Sequence, residues 1–166
     1  MRIYIIRHAE AVSQETAGVN ADADRPLTDH GHAQCRALAA ALLKHGVRLD
    51  QILTSPYLRA RQTTQGLLDQ WPQPRPPVEE CQELAPEGKP GKIARLLRKM
   101  KPDNAALVGH MPDLADHAAW FIGSKKARLD LDKAGVALIE CEDMPDKGGG
   151  TLQWLITPVW FMPPPG

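Results

Sequence analysis

An arginine and a histidine stand side by side where the first hydrophobic run of this chain ends, since Arg2-Ile3-Tyr4-Ile5-Ile6 leads directly into Arg7-His8. The β-branched and aromatic run reads as a buried strand, and in open α/β sheets ligands bind beyond the carboxyl ends of the strands. Ala105-Ala106-Leu107-Val108-Gly109 is a second buried-strand candidate, and it delivers His110 at its carboxyl end. Arg59 falls in the first turns of a helix that follows a short strand at Gln51 to Thr54. In a parallel sheet these ends share one rim, so Arg7, His8, Arg59 and His110 converge there, beside helix N-termini that add positive charge and free N–H groups. Two imidazoles and two guanidiniums with no carboxylate required describe a site for a phosphoryl group.

The residue types suit that chemistry. An arginine fork matches phosphate oxygens, stays charged at any working pH and follows charge as it builds during transfer. An unperturbed histidine titrates near about 6.5, and nearby cations favour its neutral form, which has a lone pair free for attack on phosphorus. Covalent catalysis through a phosphohistidine follows from this pairing. A single histidine at a strand end is more often structural, so the weight lies in the set. His30, His32, His45 and His117 are assigned to surface or packing roles.

No metal or cofactor is expected. A zinc hydrolase needs a tighter ligand cluster than this sequence offers, and Asp22-Ala23-Asp24 lacks the glycine and the bidentate glutamate of a calcium loop.

The positioning elements can be read in order. Residues 9–27 form a long polar connection with no helical or strand period, which marks a functional or mobile loop. Thr28 reads as an N-cap before a helix whose apolar face is Cys35, Leu38, Ala39, Leu42 and Leu43, with a stop at Gly46. Ser55-Pro56 reads as the cap and first position of a second helix carrying Ala60, Thr64, Leu67, Leu68 and Trp71 toward the core. Pro72 to Pro77 is an extended connector, and Val78 to Cys81 a short third strand. A third helix presents Ile93, Leu96, Leu97 and Met100 inward and Lys92, Arg95, Arg98, Lys99 and Lys101 outward. Pro112 starts a fourth through Leu114, Ala115, Ala118 and Ile122. Val136 to Cys141 and Thr151 to Ile156 flank a turn rich in Gly and Asp and read as an antiparallel hairpin at a sheet edge. Strands alternating with helices give an α/β class: a three-layer α/β/α sandwich with a mostly parallel central sheet and that antiparallel edge hairpin.

At 166 residues the chain is expected to form one domain over residues 1–158, followed by a tail over 159–166 whose end, Pro163 to Gly166, is expected to be unstructured. A formal net charge of zero removes the footprint of a general nucleic-acid binder. No apolar run approaches a membrane span and no signal peptide opens the chain, so a cytoplasmic protein without membrane attachment is expected. Cys35, Cys81 and Cys141 have neither metal-ligand nor redox spacing and read as reduced core thiols.

Four blocks occur in sequence: Arg7-His8-Ala9-Glu10-Ala11, Arg25-Pro26-Leu27-Thr28-Asp29-His30-Gly31, Ser55-Pro56-Tyr57-Leu58-Arg59-Ala60-Arg61-Gln62-Thr63 and Gly109-His110-Met111-Pro112. Together with Glu83-Leu84-Ala85-Pro86 they resemble the histidine phosphatase superfamily, and specifically its short SixA-type phosphohistidine phosphatases. The resemblance runs from Arg2 to about Pro158 and implies a phosphoglycerate mutase-like fold. It also implies that His8 accepts the phosphoryl group, that Arg7 and Arg59 hold its oxygens, and that His110 hydrogen-bonds it and stabilises its charge. Arg61 falls at a variable position, and on a helix it points away from Arg59. Ala9 departs from the pattern, which usually has glycine there, and raises the question of how closely a ligand approaches.

The chain is too short for the capping insertion that supplies larger members with a carboxylic acid, so an open site is expected. An alkoxide-like leaving group needs such an acid, whereas imidazole leaves with a conjugate acid near about 6.5. The expectation is a metal-independent phosphatase acting on a phosphorylated histidine-containing phosphotransfer protein in signal transduction and releasing inorganic phosphate. The alternatives are a broad small-molecule phosphomonoesterase with the same nucleophile, and a catalytically silent phosphoprotein-binding module. Glu83 and Glu87 are the acids to examine.

Overall fold

The computed structural model describes residues 1–162, so the stretch from Pro163 to Gly166 lies outside the described residues. Six strands form one sheet in the order β3-β2-β4-β1-β5-β6. They are β1 (Arg2–Arg7), β2 (Gln51–Thr54), β3 (Val78–Glu80), β4 (Asn104–Gly109), β5 (Val136–Cys141) and β6 (Gly150–Ile156). β3, β2, β4 and β1 run parallel, β5 pairs antiparallel with β1, and β6 with β5.

Side-chain alternation along the strands makes this a three-layer structure. Ile3 and Ile5 of β1 face a cluster with Ile93, Ala94 and Leu97 of α4 (Pro90–Met100) and Leu114, Ala118 and Phe121 of α5 (Asp113–Phe121). Tyr4 and Ile6 point the other way, onto Leu38 and Leu42 of α2 (Asp29–Lys44) and Ala60 and Leu67 of α3 (Leu58–Leu68). Each fully buried Ile or Leu contributes about 1.5–3 kcal/mol relative to exposure. A one-residue slip of β1 would therefore exchange the two cores.

The expected helices are present with their caps largely as read. Thr28 caps α2 by accepting from the Gly31 N–H at 2.9 Å, and the chain leaves that helix through Gly46 at φ +71°. Gly31 is required by close approach, because a Cβ there would lie 2.1 Å from the Glu10 carbonyl oxygen. Two expectations are corrected. Ser55-Pro56 does not open α3, which starts at Leu58 with Tyr57 at the cap position and no side-chain cap, because the Ser55 hydroxyl is engaged elsewhere. The 9–27 connection is not free of regular structure: it holds a short helix, α1 (Gln14–Ala17), capped by Ser13, and a 3₁₀ turn at Asp22–Asp24. Beyond β6, Pro158–Trp160 form a further 3₁₀ turn, and Phe161 packs against the α2 side of the core. Among the described residues no helix is long and apolar enough to cross a membrane.

Candidate active site

Strand register brings the two candidate histidines together. β1 and β4 are parallel neighbours with Arg7 opposite Gly109, and the His8 N–H donates to the Gly109 carbonyl at 3.0 Å, extending the ladder by one residue. The residue after each strand is a histidine, and their ring centroids lie 5.0 Å apart. β2 lies on the other side of β4, and the Ser55 N–H donates to the Val108 carbonyl. That contact places the Ser55 hydroxyl 2.8 Å from Nε2 of His110.

The His8 ring is held in a defined tautomer. Its Nδ1 lies 2.7 Å from the Ala9 carbonyl oxygen, which can only accept, so Nδ1 carries the proton and Nε2 the lone pair. Arg59, the second residue of α3, donates its Nε–H to that Nε2 at 3.2 Å. Arg7 donates Nη1 to the Leu131 carbonyl at 2.7 Å. Arg7 Nε and His110 Nδ1 are buried without a hydrogen-bond partner among the described residues. Buried polar atoms of this kind are rare, and the third among the described residues, His117 Nδ1, lies outside this cluster.

Burial and positive charge set the protonation of both rings. Burial, then Arg59, Arg7 and Lys133, push the His8 pKa down to about 4. Burial and then Arg59 push that of His110 down to about 3. Both imidazoles are therefore neutral near pH 7.

The departure at Ala9 is accommodated. Ala9 is fully buried with Ala11, Leu27, Cys35 and Ala134, and its N–H donates to Thr63 Oγ1 at 3.0 Å. Among described non-glycine residues only Glu87, Lys101 and Ala134 have positive φ, so position 9 makes no demand that alanine cannot meet.

Several contributors escaped the sequence reading. Asp22 accepts from both terminal nitrogens of Arg59, through its carbonyl at 2.7 Å and its carboxylate at 2.9 Å, and the same carboxylate takes Arg25 at 2.7 Å. Tyr57 stacks near His110 and lies under the Arg59 guanidinium, 5.0 Å from each. Lys133, in the turn before β5, adds positive charge at His8. Only block membership could have flagged Ser55, Tyr57 and Thr63, and nothing in the sequence distinguishes Lys133. The other candidates stand apart from this cluster. Glu83 pairs with Lys92 at 2.6 Å, which holds its carboxyl below the usual range, and Arg61 is exposed and contacts Glu80. His117 is buried, with Nε2 3.2 Å from the Glu83 carbonyl, as a packing role requires.

Comparison with known proteins identifies the family. The Histidine phosphatase superfamily (branch 1) matches residues 3–113. An uncharacterized protein of Picosynechococcus sp. is 35% identical, over 98% of this chain and 100% of its own. The Phosphohistidine phosphatase SixA of Escherichia coli is 27% identical, over 95% of this chain and 94% of its own. Among solved structures, the protein histidine phosphatase SixA complexed with tungstate superposes with a TM-score of 0.83 at 25% identity, covering 96% of this chain and 98% of that one. A putative alpha-ribazole-5'-P phosphatase from Escherichia coli shares the fold, with a TM-score of 0.73 at 24% identity over 93% of this chain and 96% of that one. With a family match over residues 3–113 and SixA relatives aligned over nearly its whole length, the chain belongs to branch 1 of the histidine phosphatase superfamily and is a phosphatase of the SixA type.

Proposed function

We propose that this protein is a metal-independent phosphohistidine phosphatase that acts on a phosphorylated phosphotransfer protein through a phosphoryl group carried transiently on His8. The observation that carries this reading is the His8 ring itself: Nδ1–H is committed to the Ala9 carbonyl at 2.7 Å, and the Nε2 lone pair faces Arg59 and His110. Neutral Nε2 attacks phosphorus and the His8–phosphorus bond forms, while the bond from phosphorus to the substrate ring breaks, that ring carrying a proton on its other nitrogen so that it leaves as neutral imidazole. Water then attacks the phosphoryl group and releases inorganic phosphate and free His8. Arg59 Nε–H, whose resting partner is the attacking nitrogen, passes to a phosphoryl oxygen as the lone pair is used. Arg7 Nε and His110 Nδ1 supply the remaining contacts. The Ser55 hydroxyl accepts the Tyr57 N–H at 3.3 Å and lies 2.8 Å from His110 Nε2; donating its hydrogen bond to that nitrogen would put the ring proton on Nδ1 as a donor for the anion.

The leaving group supports a P–N substrate. Glu83 is held ionised by Lys92 and also takes the Lys89 N–H at 3.1 Å, so it is a poor proton donor. A phosphohistidine ring protonated on its other nitrogen departs as neutral imidazole without one, since the conjugate acid of imidazole titrates near about 6.5. The name of the 27% identical Escherichia coli relative points the same way.

The test is a single-turnover reaction of wild type and His8→Ala with a phosphohistidine-bearing phosphotransfer protein, in chelator and without added metal, stopped by rapid alkaline quench. Dephosphorylation with transient acid-labile phosphate on wild type alone is the expected result. Fast hydrolysis of small phosphate esters with no action on the phosphoprotein would replace this reading by that of a small-molecule phosphomonoesterase. Phosphate binding with no turnover of either substrate class would leave a silent binding module.

A further inference from the structure

We propose that Asp22 is a positioning residue that clamps the outer end of Arg59, so that the Nε edge of that guanidinium stays aimed at His8 and at the phosphoryl group. This inference rests on the phosphoryl-site reading of His8 and Arg59 given above.

The geometry is a chain of four groups. Arg25 holds one carboxylate oxygen of Asp22 at 2.7 Å, and Arg59 Nη2 holds the other at 2.9 Å. Arg59 Nη1 takes the Asp22 backbone carbonyl at 2.7 Å, and Arg59 Nε reaches His8 Nε2 at 3.2 Å. The guanidinium is therefore gripped at one end by a carboxylate and a carbonyl from the same residue, and one face of it lies over Tyr57 at 5.0 Å. A planar fork held in this way cannot swivel about its long side chain. Arg25 in turn ties the turn to the neighbouring loop, donating Nε to the Val12 carbonyl at 2.8 Å.

Exposure divides the labour. The Arg59 side chain is 6% exposed and that of Asp22 is 47% exposed. An ion pair with one partner in water contributes little to stability. Its effect here is on direction. Substitution of Asp22 leaves its backbone carbonyl on Nη1 but takes the carboxylate from Nη2, and the guanidinium loses the contact that fixes its direction. Only two of its five N–H groups are uncommitted while Asp22 is in place, one on each terminal nitrogen, and the Nη2 one lies beside Nε, where a phosphoryl oxygen arriving at His8 can use both.

Charge and geometry predict opposite signs, which makes the idea testable. Removing a negative charge beside an anion site tightens anion binding by Coulomb's law alone, whereas losing the clamp weakens it. The experiment is calorimetric titration of the full chain with inorganic phosphate at pH 8, for wild type, Asp22→Asn, Asp22→Glu, Arg59→Lys and Asp22→Asn combined with Arg59→Lys. Asp22→Asn is expected to bind phosphate at least tenfold more weakly with its thermal midpoint nearly unmoved. Asp22→Glu is expected to recover most of that loss, because an exposed turn can absorb one methylene. In the Arg59→Lys background Asp22→Asn is expected to cause no loss, since the clamp has no fork to hold and only the small Coulomb gain remains.

Unchanged or tighter phosphate binding by Asp22→Asn overturns the proposal, and tighter binding would show the carboxylate to be a competitor of the anion. An equal loss in the Arg59→Lys background also overturns it. If wild type is folded and binds no phosphate, the phosphoryl-site reading falls and takes this inference with it, an outcome distinct from phosphate binding that ignores Asp22.

Discussion

The two walls of the site around His8 are built by different physics. One is made of strand ends: Arg7, His8, Ser55 and His110 each sit at or just past the end of a parallel strand, and ladder hydrogen bonds such as His8 N–H to the Gly109 carbonyl fix where their side chains begin. The other is made of the 12–27 loop, in which Asp22 and Arg25 reach Arg59 through ion pairs at the edge of solvent. The first wall cannot shift without breaking the sheet. The second is held by interactions that salt and mutation weaken, so chemistry is assigned to the first and orientation to the second.

The largest effect should come from the strand wall. His8→Ala is expected to lower single-turnover dephosphorylation by roughly 10⁴-fold or more, as loss of a covalent nucleophile does in other enzymes, while circular dichroism and the cooperativity of unfolding stay native. Loss of the fold instead would make His8 a structural histidine and erase the contrast. Arg59→Lys comes next, because it keeps the charge and removes both the Nε contact and the fork. A fall of about 10²–10³-fold in kcat is expected, the range seen when one aligned transition-state donor is removed. A fall below tenfold would show that charge alone suffices at this wall.

Sequence made the strand wall legible and left the loop wall dark. The β-branched and aromatic run Ile3-Tyr4-Ile5-Ile6 and the apolar run ending at Gly109 are both continuous-run signals, and they carried the rim and its two histidines with them. Asp22 has no such signal. Its partner lies 37 residues away on a helix, it belongs to no periodic element, and its neighbour Asp24 invited a metal reading instead. Ser55 misled for a related reason: a serine before a proline has the form of a helix cap, and only the β2–β4 register shows that its hydroxyl is needed by His110. Lys133 sits in a turn just before Ala134, whose φ is +60°, a backbone path that no residue preference announced.

A third prediction concerns acid. With folded-state pKa values of about 4 for His8 and about 3 for His110, both rings stay neutral where unfolded histidine, near 6.5, takes up protons. The unfolded chain then binds more protons than the native one, so stability falls as pH drops below about 6.5 and continues falling until the native rings titrate. Burial lowers the His117 pKa too, and adds to the loss in the same direction. Chemical denaturation at a series of pH values should show this decline, and it should be shallower in His8→Ala. Equal slopes in the two proteins would mean that His8 is not held neutral by the strand wall. Directly, the His8 ring in the wild type should show no NMR titration between pH 8 and 5.

The smallest expected effect lies where the walls meet. Thr28 caps α2 through Gly31 N–H at 2.9 Å and donates its hydroxyl to Glu10 Oε1 at 2.9 Å, while its own N–H donates to the Glu10 carbonyl at 3.0 Å. Thr28→Ala removes the two side-chain bonds and keeps the backbone one, so the segment after His8 remains docked on the start of α2. Loss of an N-cap costs about 1 kcal/mol, which for a chain of 150–250 residues lowers the thermal midpoint by about 2–4 °C. Phosphate affinity should be unchanged, because His8 is positioned by the β1–β4 ladder and Arg59 by α3 and Asp22, neither of which uses the cap. A parallel loss of affinity would show that α2 transmits strain into the strand wall, and would make its fixity depend on more than the sheet.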